Sequence, residues 1–522
     1  MLVNNDDDGI DGSPDNQNDK IDGGNDASEL APLTIDRSGP APAGAQLELR
    51  VDDSTRIRIF SSRAAGGTEI IGPAAGATHK FPDLTPQRIE LGMEALRYAG
   101  TGFNGEVTIT LRFTDAGGTI TDQTAVVRVA PWIVPNHVDA AQKVFVVDAG
   151  PFNERFRNDL EPLVTAAGCT LVEGTVGDIW MQDCMEFGFA NLPGAGVRSV
   201  MRAPRNRPLK SFPKSLLDAD LGYFEVGTLS TFTTYDSTGN LEATPPATSA
   251  AGKRFPLGRI YFGPGLAPEV MDPDTHEFLR AQVVQAPIEL DTNWLTVGHV
   301  DEVLSIVPAP GAVGFKLLVA SPEQGYRILD TVKAAHPTAK MLLGRTFPTA
   351  TAGAFDLEQT VTAFLSLADT FHPDLSDAIS SGHISYTPKP LRDYNADRQK
   401  DIDRMRDTMV AELGLNPVDD VIHIPAITMP NPVTPSLADA LVAGMVNMLV
   451  VNKHCIVPKP FGPVVGGVDQ FEKDVQDKLT PLGLTVNFLD CWDEYHVNLG
   501  EVHCGTNTLR APTAVRWWEF QP

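Results

Sequence analysis

The chain has 522 residues, a formal net charge of −26 at pH 7 and hydrophobic residues over 42% of its length. This composition is typical of a globular protein with two or three domains and excludes a largely disordered chain. The acid excess excludes a basic, nucleic-acid-binding face. No apolar run reaches the ~18 residues of a membrane span, and no signal peptide is evident. We therefore expect no nucleic-acid or membrane partner and a cytoplasmic location.

The first thirty residues are rich in acids, amides and glycine, with few apolar side chains. Such a composition is typical of a disordered acidic tail. The spacing offers an alternative, because Asn4, Asp6 and Asp8 place oxygen ligands at alternate positions before Gly9, and Asp15 falls where a calcium loop has its closing acid. This spacing favours a calcium loop over a tail.

Residues 47–129 predict an antiparallel β-sandwich. Short alternating stretches such as "LELRVD" and "GEVTITLRF" are separated by turn-forming residues at intervals typical of that architecture. The following segment "APWIVPN", residues 130–136, has a proline on each side of an apolar pair. This pattern indicates the linker that leaves the sandwich.

The remaining chain alternates apolar strands with helical segments, which predicts an α/β fold. Helices are expected over about 153–167, 322–335 and 468–482. A hairpin-like pattern over 288–308 argues against simple parallel winding. The charged helix around 395–413 is predicted to be a solvated outer element.

Polar residues interrupt three apolar stretches, residues 178–189, 294–308 and 499–510. In the second stretch, His299 and Asp301 are two residues apart, so on a strand they would share one face. Such a pair can perform acid–base chemistry on one substrate. The alternative is a buried histidine whose hydrogen bonds a core aspartate satisfies.

The third stretch, "LGEVHCGTNTLR", leaves three roles open for Cys504: core thiol, metal ligand or nucleophile. The five scattered cysteines contain no CxxC pair, which favours reduced thiols. In an extended segment His503 would face away from Cys504 and would be a poor base for it. Gly500 and Gly505 allow close approach of other groups to the sulfur.

The first stretch adds Asp183 and Trp180, which the sequence places on an aromatic-rich strand. Two aspartates, a histidine, a cysteine and a tryptophan together suit a guanidinium ligand. Carboxylates bind its planar charge bidentately, and an aromatic ring can cover its apolar stem. A thiolate could attack its central carbon while a histidine protonates departing ammonia.

These stretches, together with "RAPRNRPLKSFP" (residues 202–213), "NMLVVNKHCIVPKPFGP" and the terminal "RWWEFQP", resemble the calcium-dependent protein-arginine deiminases. The resemblance covers essentially the entire chain. It implies a calcium-binding immunoglobulin-like domain over residues 1–133 and a five-bladed α/β propeller of the pentein type over residues 134–522. It also implies a short form without the vertebrate enzymes' N-terminal domain.

The resemblance implies hydrolysis of peptidyl-arginine to peptidyl-citrulline and ammonia through a covalent thiouronium intermediate. Protein or peptide arginines would be the substrates, and the protein a monomer or homodimer. The implied roles are as follows: Cys504 is the nucleophile, His299 the general acid and base, Asp183 and Asp301 the guanidinium-binding carboxylates, Trp180 the residue flanking the substrate side chain, and Arg207 the residue holding the substrate backbone.

Several calcium ions are implied as well. One site beside the active centre would use Gln182, Glu186 and Glu242 with the backbone carbonyls of Thr238 and Leu241. A neighbouring family site is disrupted, because Cys184, Arg202 and Ala203 replace its ligands and only Asn206 remains, so one calcium is expected in the propeller. The N-terminal set is Asn4, Asp6, Asp8, Asp19, Asp22, Asp26, Glu94 and Asp220.

Two alternatives remain open at the level of sequence. The first is a related enzyme acting on free arginine or agmatine, and the second is a calcium-binding scaffold with an inactive catalytic fold. One departure from the family concerns the substrate, because Asn498 stands where a second substrate-facing arginine is usual. Contacts to the substrate backbone are therefore expected to differ.

Overall fold

The computed structural model describes residues 1–175, 177–229, 233–350, 353–514 and 516–520. Its N-terminal part contains two four-stranded antiparallel sheets in the region where short strands were predicted. Alternate side chains such as Leu47, Val107 and Ile109 point into a shared core. The strands, in sheet order, are Ala31–Asp36, Arg88–Ala95, Ile57–Phe60 and Glu69–Ile71 in one sheet, and Thr78–Lys80, Gln46–Val51, Glu106–Thr114 and Ile120–Arg128 in the other.

The acidic N-terminal segment folds against these sheets. The backbone N–H groups of Asp15 and Asn16 donate to the carbonyls of Asp6 and Asn4, and Leu2 accepts a hydrogen bond from the amide of Ala95. The segment also includes the short helix Gly24–Glu29. In this structure the first thirty residues therefore form an ordered layer rather than the disordered tail that composition alone suggested.

The segment predicted as a linker is buried. Trp132 and Val134 are almost fully enclosed, and their backbone N–H groups donate to the side-chain oxygens of Gln282 and Gln285 at 2.9 and 2.8 Å. The segment connects the N-terminal sheets to the following strands as predicted but is enclosed, because two buried glutamines satisfy a backbone that would otherwise need solvent. This segment joins the N-terminal sheets firmly to the rest of the chain.

Five three-stranded sheets of one design follow within the described residues. In each, the central strand pairs antiparallel with one neighbour and parallel with the other. The mixed α/β class is therefore confirmed. The sheets, each given as antiparallel, central and parallel strand, are Thr506–Arg510, Ala141–Val147 and Thr170–Gly174; Met185–Leu192, Ala195–Arg202 and Gly222–Glu225; Leu241–Ala243, Ile260–Phe262 and Ile288–Glu289; Leu304–Pro308, Phe315–Ser321 and Val421–Pro425; and Leu449–Val451, His454–Pro458 and Thr485–Leu489.

The predicted hairpin over residues 288–308 is wrong. Ile288–Glu289 pairs parallel with Ile260–Phe262, whereas Leu304–Pro308 pairs antiparallel with Phe315–Ser321. The two strands belong to different sheets. A sequence pattern of two apolar strands around a turn shows only that strands are present, and the pairing depends on the rest of the fold.

The helices mostly connect the central strand of a sheet to its parallel neighbour, as such crossovers require. The charged helix Leu391–Leu413 was predicted to be solvated, yet it buries one face, including Tyr394, Ile402 and Met409, in the largest core. The other helices are Glu154–Ala166, Pro273–Ala281, Pro322–Ala335, Val361–Phe364, Pro373–Ser380 and Gln470–Leu479. Two-stranded ribbons are formed by Ala247–Thr248 with Arg254–Phe255, Gly265–Leu266 with Glu269–Val270, Lys340–Met341 with Gln359–Thr360, Thr346–Thr349 with Gly353–Asp356, Thr428–Pro430 with Ala438–Ala440, and Val464–Val465 with Val468–Asp469.

A turn precedes the antiparallel outer strand of each of the five sheets, and these turns carry the residues of the site. The residues are Asp183, Gly239, Asp301, Asn447 and Cys504, each two or three positions before its strand. The repeated design thus brings five distant stretches of sequence to one place.

Among the described residues, no helix has the length and apolar character of a membrane span.

Candidate active site

Cys504 lies buried in the turn before Thr506–Arg510. Its Sγ atom is 3.6 Å from Oδ2 of Asp301 and accepts a hydrogen bond from Nδ2 of Asn447 at 3.2 Å. Asn447 also accepts from the Cys504 backbone N–H at 3.3 Å. Burial, followed by the charges of Asp301 and Asp183, raises the pKa of the Cys504 thiol well above its usual range. This environment favours the thiol over the thiolate in the free protein.

His299 faces Asp183. Its Nε2 atom donates to the carbonyl of Thr234 at 2.9 Å, which leaves Nδ1 to face Oδ1 of Asp183 at 3.8 Å. Nδ1 has no hydrogen-bond partner among the described residues although the ring is buried. A buried nitrogen without a partner, aimed at a carboxylate, can give a proton to a substrate or accept one from it.

Gly239 lies between the histidine and both carboxylates. A Cβ atom at this position would lie 2.8 Å from Nδ1 of His299, 2.9 Å from Oδ1 of Asp183 and 3.4 Å from Oδ2 of Asp301. The three atoms therefore converge on a point that only a residue without a side chain leaves free. Oδ1 atoms of both aspartates also lack a hydrogen-bond partner within the described chain. Together these groups form a small polar centre beside Cys504.

Asp183 is held by a chain of buried charges. Its Oδ2 atom pairs with Nη2 of Arg205 at 3.2 Å, and Nη1 of Arg205 pairs with Asp178 at 3.0 Å. Asp178 also accepts a hydrogen bond from Nη2 of Arg207 at 3.0 Å. Burial raises the pKa of Asp183, while Arg205 and His299 act in the opposite direction. Arg205 thus orients Asp183 and leaves its Oδ1 atom for another partner.

Asp301 connects to a second buried chain through His503. Its Oδ2 atom lies 2.9 Å from Nδ1 of His503, whose Nε2 lies 3.3 Å from Glu242. Glu242 in turn lies 3.2 Å from Nε2 of His137. Burial alone would lower the pKa of His503, but Glu242 and Asp301 raise it. His503, set aside in the sequence as a base for Cys504, instead positions Asp301.

Each of the three stretches contains a strand, as predicted, but the site residues lie in the turn before that strand rather than on it. Asp183 lies in the 3-10 turn Gln182–Cys184, and Asp301 lies in the 3-10 turn Val300–Glu302, with His299 just before it. Cys504 also lies in a turn. The alternation of strand side chains therefore does not govern which of them face each other.

Trp180 and Arg207 border an open cavity of about 840 Å³, which Asn498 and Asp178 also line. The ring of Trp180 packs against Gly500, where a Cβ atom would lie only 2.2 Å from the ring carbon Cζ3. Arg207 is partly exposed, with its guanidinium on Asp178. This open cavity therefore has an aromatic wall and a cationic side chain, and its residue Asp178 connects through Arg205 to Asp183.

The residues predicted to hold calcium near the active centre gather around a cavity of about 20 Å³, which Gln182, Glu186, Leu241 and Glu242 line. Nε2 of Gln182 donates to Glu186 at 3.0 Å and to the carbonyl of Thr238 at 3.4 Å. Burial and the neighbouring Glu242 raise the pKa of Glu186 well above its usual range. Two buried carboxylates with carbonyl oxygens beside them fit a hard cation.

The disrupted neighbouring site holds no comparable set of oxygens. Arg202 pairs with Glu225 at 2.9 Å, and the Cys184 thiol donates to the carbonyl of Met181. The side-chain oxygen of Asn206 accepts a hydrogen bond from Lys210. The side chains of Arg202, Cys184 and Asn206 therefore all have protein partners.

The N-terminal acids form a second candidate cation site. Burial and neighbouring carboxylates raise the pKa of Asp6 to about 8, of Asp15 to about 7, of Asp26 to about 6 and of Glu29 to about 9. Oδ1 of Asp6 and Oε2 of Glu29 have no hydrogen-bond partner within the described residues. This excess of buried negative charge fits a bound cation.

The other N-terminal candidates contribute unequally to this cluster. Asn4 donates to Asp26 at 2.8 Å, and both Asp22 and Asp8 raise the pKa of Asp26. Glu94 instead pairs with Arg58. Asp19 and Asp220 are exposed, although the charge of Asp220 raises the pKa of Asp8. Asp15, which the spacing of the N-terminal acids placed in a calcium loop, and Glu29 also belong to the cluster, although the set implied by the resemblance contained neither.

Sequence analysis missed several residues of the active centre. Asn447 lies in the motif "NMLVVNKHCIVPKPFGP", and Gly239 lies between the expected calcium ligands Thr238 and Leu241, but neither residue was assigned a role. Asp178 and Arg205 lie inside quoted motifs without an assigned role. A polar residue just before a buried strand is the signal that Asp183, Asp301, Asn447 and Cys504 share, and this signal could have identified Asn447.

A buried cysteine beside two carboxylates and a histidine, on a mixed α/β scaffold, defines a candidate cysteine-dependent catalytic centre. Residues 119–519 match the family protein-arginine deiminase (PAD), and residues 1–115 match the protein-arginine deiminase (PAD) middle domain. The chain belongs to the protein-arginine deiminase family, as its motifs predicted.

Named relatives agree with this membership. The chain is 33% identical to protein-arginine deiminase type-4 of Homo sapiens, over 100% of its own length and 78% of that protein. It is also 33% identical to protein-arginine deiminase type-1 of Homo sapiens, over 95% of its length and 74% of that protein. Among solved structures, an agmatine deiminase of Enterococcus faecalis overlaps 72% of this chain and 95% of its own, with 12% identity and a TM-score of 0.40. That overlap is too loose to transfer an activity.

Proposed function

We propose that this protein hydrolyses arginine residues of proteins or peptides to citrulline and ammonia. The observation that supports this most strongly is the convergence of Cys504 and His299 with Asp183 and Asp301, whose Oδ1 atoms are buried without partners. A guanidinium supplies the N–H donors and the positive charge that two such carboxylates lack. Family membership supports the same reaction.

The chemistry has two halves. The Cys504 sulfur attacks the guanidinium carbon, a C–S bond forms, and the thiol proton passes to His299. A C–N bond then breaks as His299 gives that proton to the departing ammonia. Water then adds to the carbon of the resulting thiouronium and gives a proton back to His299. The C–S bond breaks, and citrulline departs as the sulfur is regenerated.

The substrate itself favours ionisation of the nucleophile. In the free protein, burial and the two aspartates hold the pKa of Cys504 high. A guanidinium bound between Asp183 and Asp301 neutralises both charges and places a positive charge beside the sulfur, which lowers the pKa of the thiol. Reactivity is thereby confined to the occupied site. The product is uncharged and loses the ionic contacts that held the substrate.

The open cavity suits an arginine within a chain rather than a free amino acid. Trp180 would cover the apolar stem of the substrate, and Arg207 would donate to carbonyls of the substrate backbone. Asp178 holds Arg207 in the wall of the open cavity. Because Asn498 also lines this cavity, an amide replaces a second cation there, and fewer strong contacts to the backbone are expected.

Calcium would bind at two places. Near the active centre, Gln182, Glu186 and Glu242 with the carbonyls of Thr238 and Leu241 would hold one ion, and the N-terminal acids would hold the other. A bound ion would neutralise buried carboxylates and fix the turn that contains Gly239. Of the N-terminal set, Asn4, Asp6, Asp8, Asp22 and Asp26 are the better candidates, with Asp15 and Glu29 added from their contacts.

We further infer that the five similar sheets are the blades of a closed propeller and that the two N-terminal sheets form an immunoglobulin-like sandwich. The repeated strand pairing and the five convergent turns support the propeller. The shared core of the N-terminal sheets supports the sandwich.

The proposed reaction is tested by measuring citrulline from a blocked arginine peptide, free arginine and agmatine, with calcium and with chelator. We expect turnover of the peptide in calcium and at least a 10-fold preference over both small substrates. Cys504→Ala should abolish turnover, while Cys169→Ser, which changes a buried thiol outside the site, should retain it.

The other outcomes discriminate between the alternatives. Faster turnover of free arginine or agmatine than of the peptide would contradict the proposed peptide substrate and identify a small-molecule deiminase. Absence of any turnover at millimolar calcium would favour a scaffold protein. A rate unchanged by chelator would remove calcium dependence from the proposal but leave the reaction intact. Trapping of a Cys504 adduct by mass spectrometry, absent in Cys504→Ala, tests the covalent intermediate.

A further inference from the structure

His137, Glu242 and His503 form a compact set of donors that touches no substrate in the proposed reaction. The two carboxylate oxygens of Glu242 lie 3.2 Å from Nε2 of His137 and 3.3 Å from Nε2 of His503. All three residues are buried, and one ligand atom from each lies within 4.8 Å of the others. His137 directly follows the buried linker, Glu242 lies in the strand Leu241–Ala243, and His503 lies in the turn that holds Cys504.

Both imidazoles are fixed through their other ring nitrogen. Nδ1 of His503 faces Oδ2 of Asp301 at 2.9 Å, and Nδ1 of His137 faces the carbonyl of Ile306 at 3.2 Å. These partners are acceptors, so each imidazole keeps a proton on Nδ1. Nε2 of each ring lies at hydrogen-bonding distance from the Glu242 carboxylate and would exchange its own proton for a metal ion. A carboxylate or carbonyl behind each histidine is the arrangement that orients metal-binding imidazoles.

The space beside these donors is large enough for a single water molecule or small ion. The cavity of about 20 Å³ is lined by His137, Glu242 and His503 as well as by Glu186 and Arg510. A volume of at least about 10–15 Å³ is enough for one water molecule. Arg510 directs its guanidinium to the backbone carbonyls of His137, Asp139 and Val450. Among the described residues Arg510 forms no ion pair with Glu186 or Glu242 within 4.0 Å, although its charge acts to lower the pKa of both carboxyl groups.

We propose that His137, Glu242 and His503 bind a zinc ion, with water as the fourth ligand. Tetrahedral zinc with bonds of about 2.0–2.2 Å to nitrogen and oxygen separates its ligand atoms by roughly 3.3–3.6 Å. The two histidine–carboxylate separations, each to a different oxygen of Glu242, are close to this range, and one ligand atom from each residue lies within 4.8 Å of the others. Two imidazoles and a carboxylate favour zinc over calcium, which prefers oxygen ligands alone. The site therefore differs from the calcium set in all ligands except Glu242.

The shared ligand has a consequence for activity, and this part rests on the proposed function. Zinc at this site would withdraw Glu242 from calcium and would fix His503, and with it Asp301, in one position. Zinc and calcium would then exclude each other. Zinc should lower the rate of deimination, and excess calcium should restore it.

Zinc binding is tested on the full chain after removal of metals by chelator and in the absence of calcium. Competition with a chromophoric zinc chelator should show one tightly bound equivalent of Zn²⁺, and Co²⁺ should give the absorption spectrum of a tetrahedral site. His137→Gln should weaken zinc binding at least 10-fold. The matched variant His383→Gln, which changes an exposed histidine, should bind zinc like the parent protein.

Two binding results would overturn the proposal. One is equal zinc affinity in His137→Gln and His383→Gln. The other is loss of zinc in Cys504→Ala together with a cobalt–thiolate absorption band, which would place the metal on the nucleophile. Because zinc binding is measured without substrate, its result is independent of whether the protein catalyses deimination.

The activity measurement tests the consequence. At fixed calcium, zinc should inhibit the parent and His383→Gln proteins, and at least 10-fold more zinc should be needed for the same fractional inhibition of His137→Gln. Inhibition that excess calcium does not relieve would contradict competition for Glu242. Tight zinc binding without any inhibition would restrict the site to a structural role.

Discussion

Gly239→Ala tests the convergence of the active centre most directly. The added Cβ would stand 2.8 Å from Nδ1 of His299 and 2.9 Å from Oδ1 of Asp183. Contacts below 3.0 Å are not tolerated, so one or both side chains must move by several tenths of an ångström. Thr234 holds the histidine from behind, and Arg205 holds the aspartate. The new methyl group therefore has to break or stretch interactions that position the catalytic groups.

The expected loss follows from that displacement. Catalytic groups need to lie within about 0.5 Å of their productive positions, and a misplacement of about 1 Å costs on the order of 10²-fold in rate. We therefore expect kcat/KM for a blocked arginine peptide to fall about 100-fold, equivalent to about 2.7 kcal/mol of transition-state stabilisation. The fold should persist, because the methyl group meets the ends of side chains rather than backbone.

The assay compares citrulline formation by Gly239→Ala and Gly39→Ala over a calcium titration. A Cβ at Gly39 meets no atom within 4 Å, so that variant controls for the loss of a glycine as such. The defect of Gly239→Ala should persist at saturating calcium, which separates it from weaker binding by the neighbouring calcium ligands. Folded Gly239→Ala protein with activity within about 3-fold of the parent would refute the described convergence.

Three further predictions concern the same centre and the cation sites. Asp301→Asn removes a charge-assisted contact worth about 1.5–3 kcal/mol, so kcat/KM should fall about 10- to 150-fold, and an unchanged value would exclude Asp301 from substrate binding. Asn447→Ala removes a hydrogen bond to the sulfur worth about 1 kcal/mol, and kcat should fall about 5-fold with little change in KM; a change in KM alone would contradict this role. Calcium at 100 times its Kd should raise the free energy of unfolding by about 2.7 kcal/mol. Calcium should raise the Tm of Asp26→Asn less than that of the exposed-site control Asp19→Asn. Equal rises in Tm for the two variants would exclude Asp26 as a ligand.

Much of the architecture was accessible from local pattern. The alternating stretches of the N-terminal region form strands, and the helix predicted over 322–335 is found at Pro322–Ala335. Pairing was not accessible, as the separation of Ile288–Glu289 from Leu304–Pro308 shows. Pairing depends on contacts between distant segments, whereas strand formation depends largely on the alternation within one segment.

The charged helix and the linker show the same limit. The many charged residues of Leu391–Leu413 predict a solvated helix, but its narrow apolar face, including Ile402 and Met409, lies in the core. The segment around Trp132 has the prolines of a linker but is enclosed by Gln282 and Gln285, which lie about 150 residues away in the chain. Burial of polar or proline-rich segments depends on such distant partners.

The sequence by itself determined the family and the residue types of the candidate centre: the motifs around Asp183, His299 and Cys504 were sufficient for both. Only the tertiary structure decided how these residues meet. It placed the site residues in the turns before three predicted strands rather than on the strands. It also placed Asn447 on the sulfur and Arg205 on Asp183, and it joined His503 to Asp301. The physical reason is that five similar sheets bring their preceding turns together, so side chains separated by up to hundreds of residues become neighbours, which no local period in the sequence encodes.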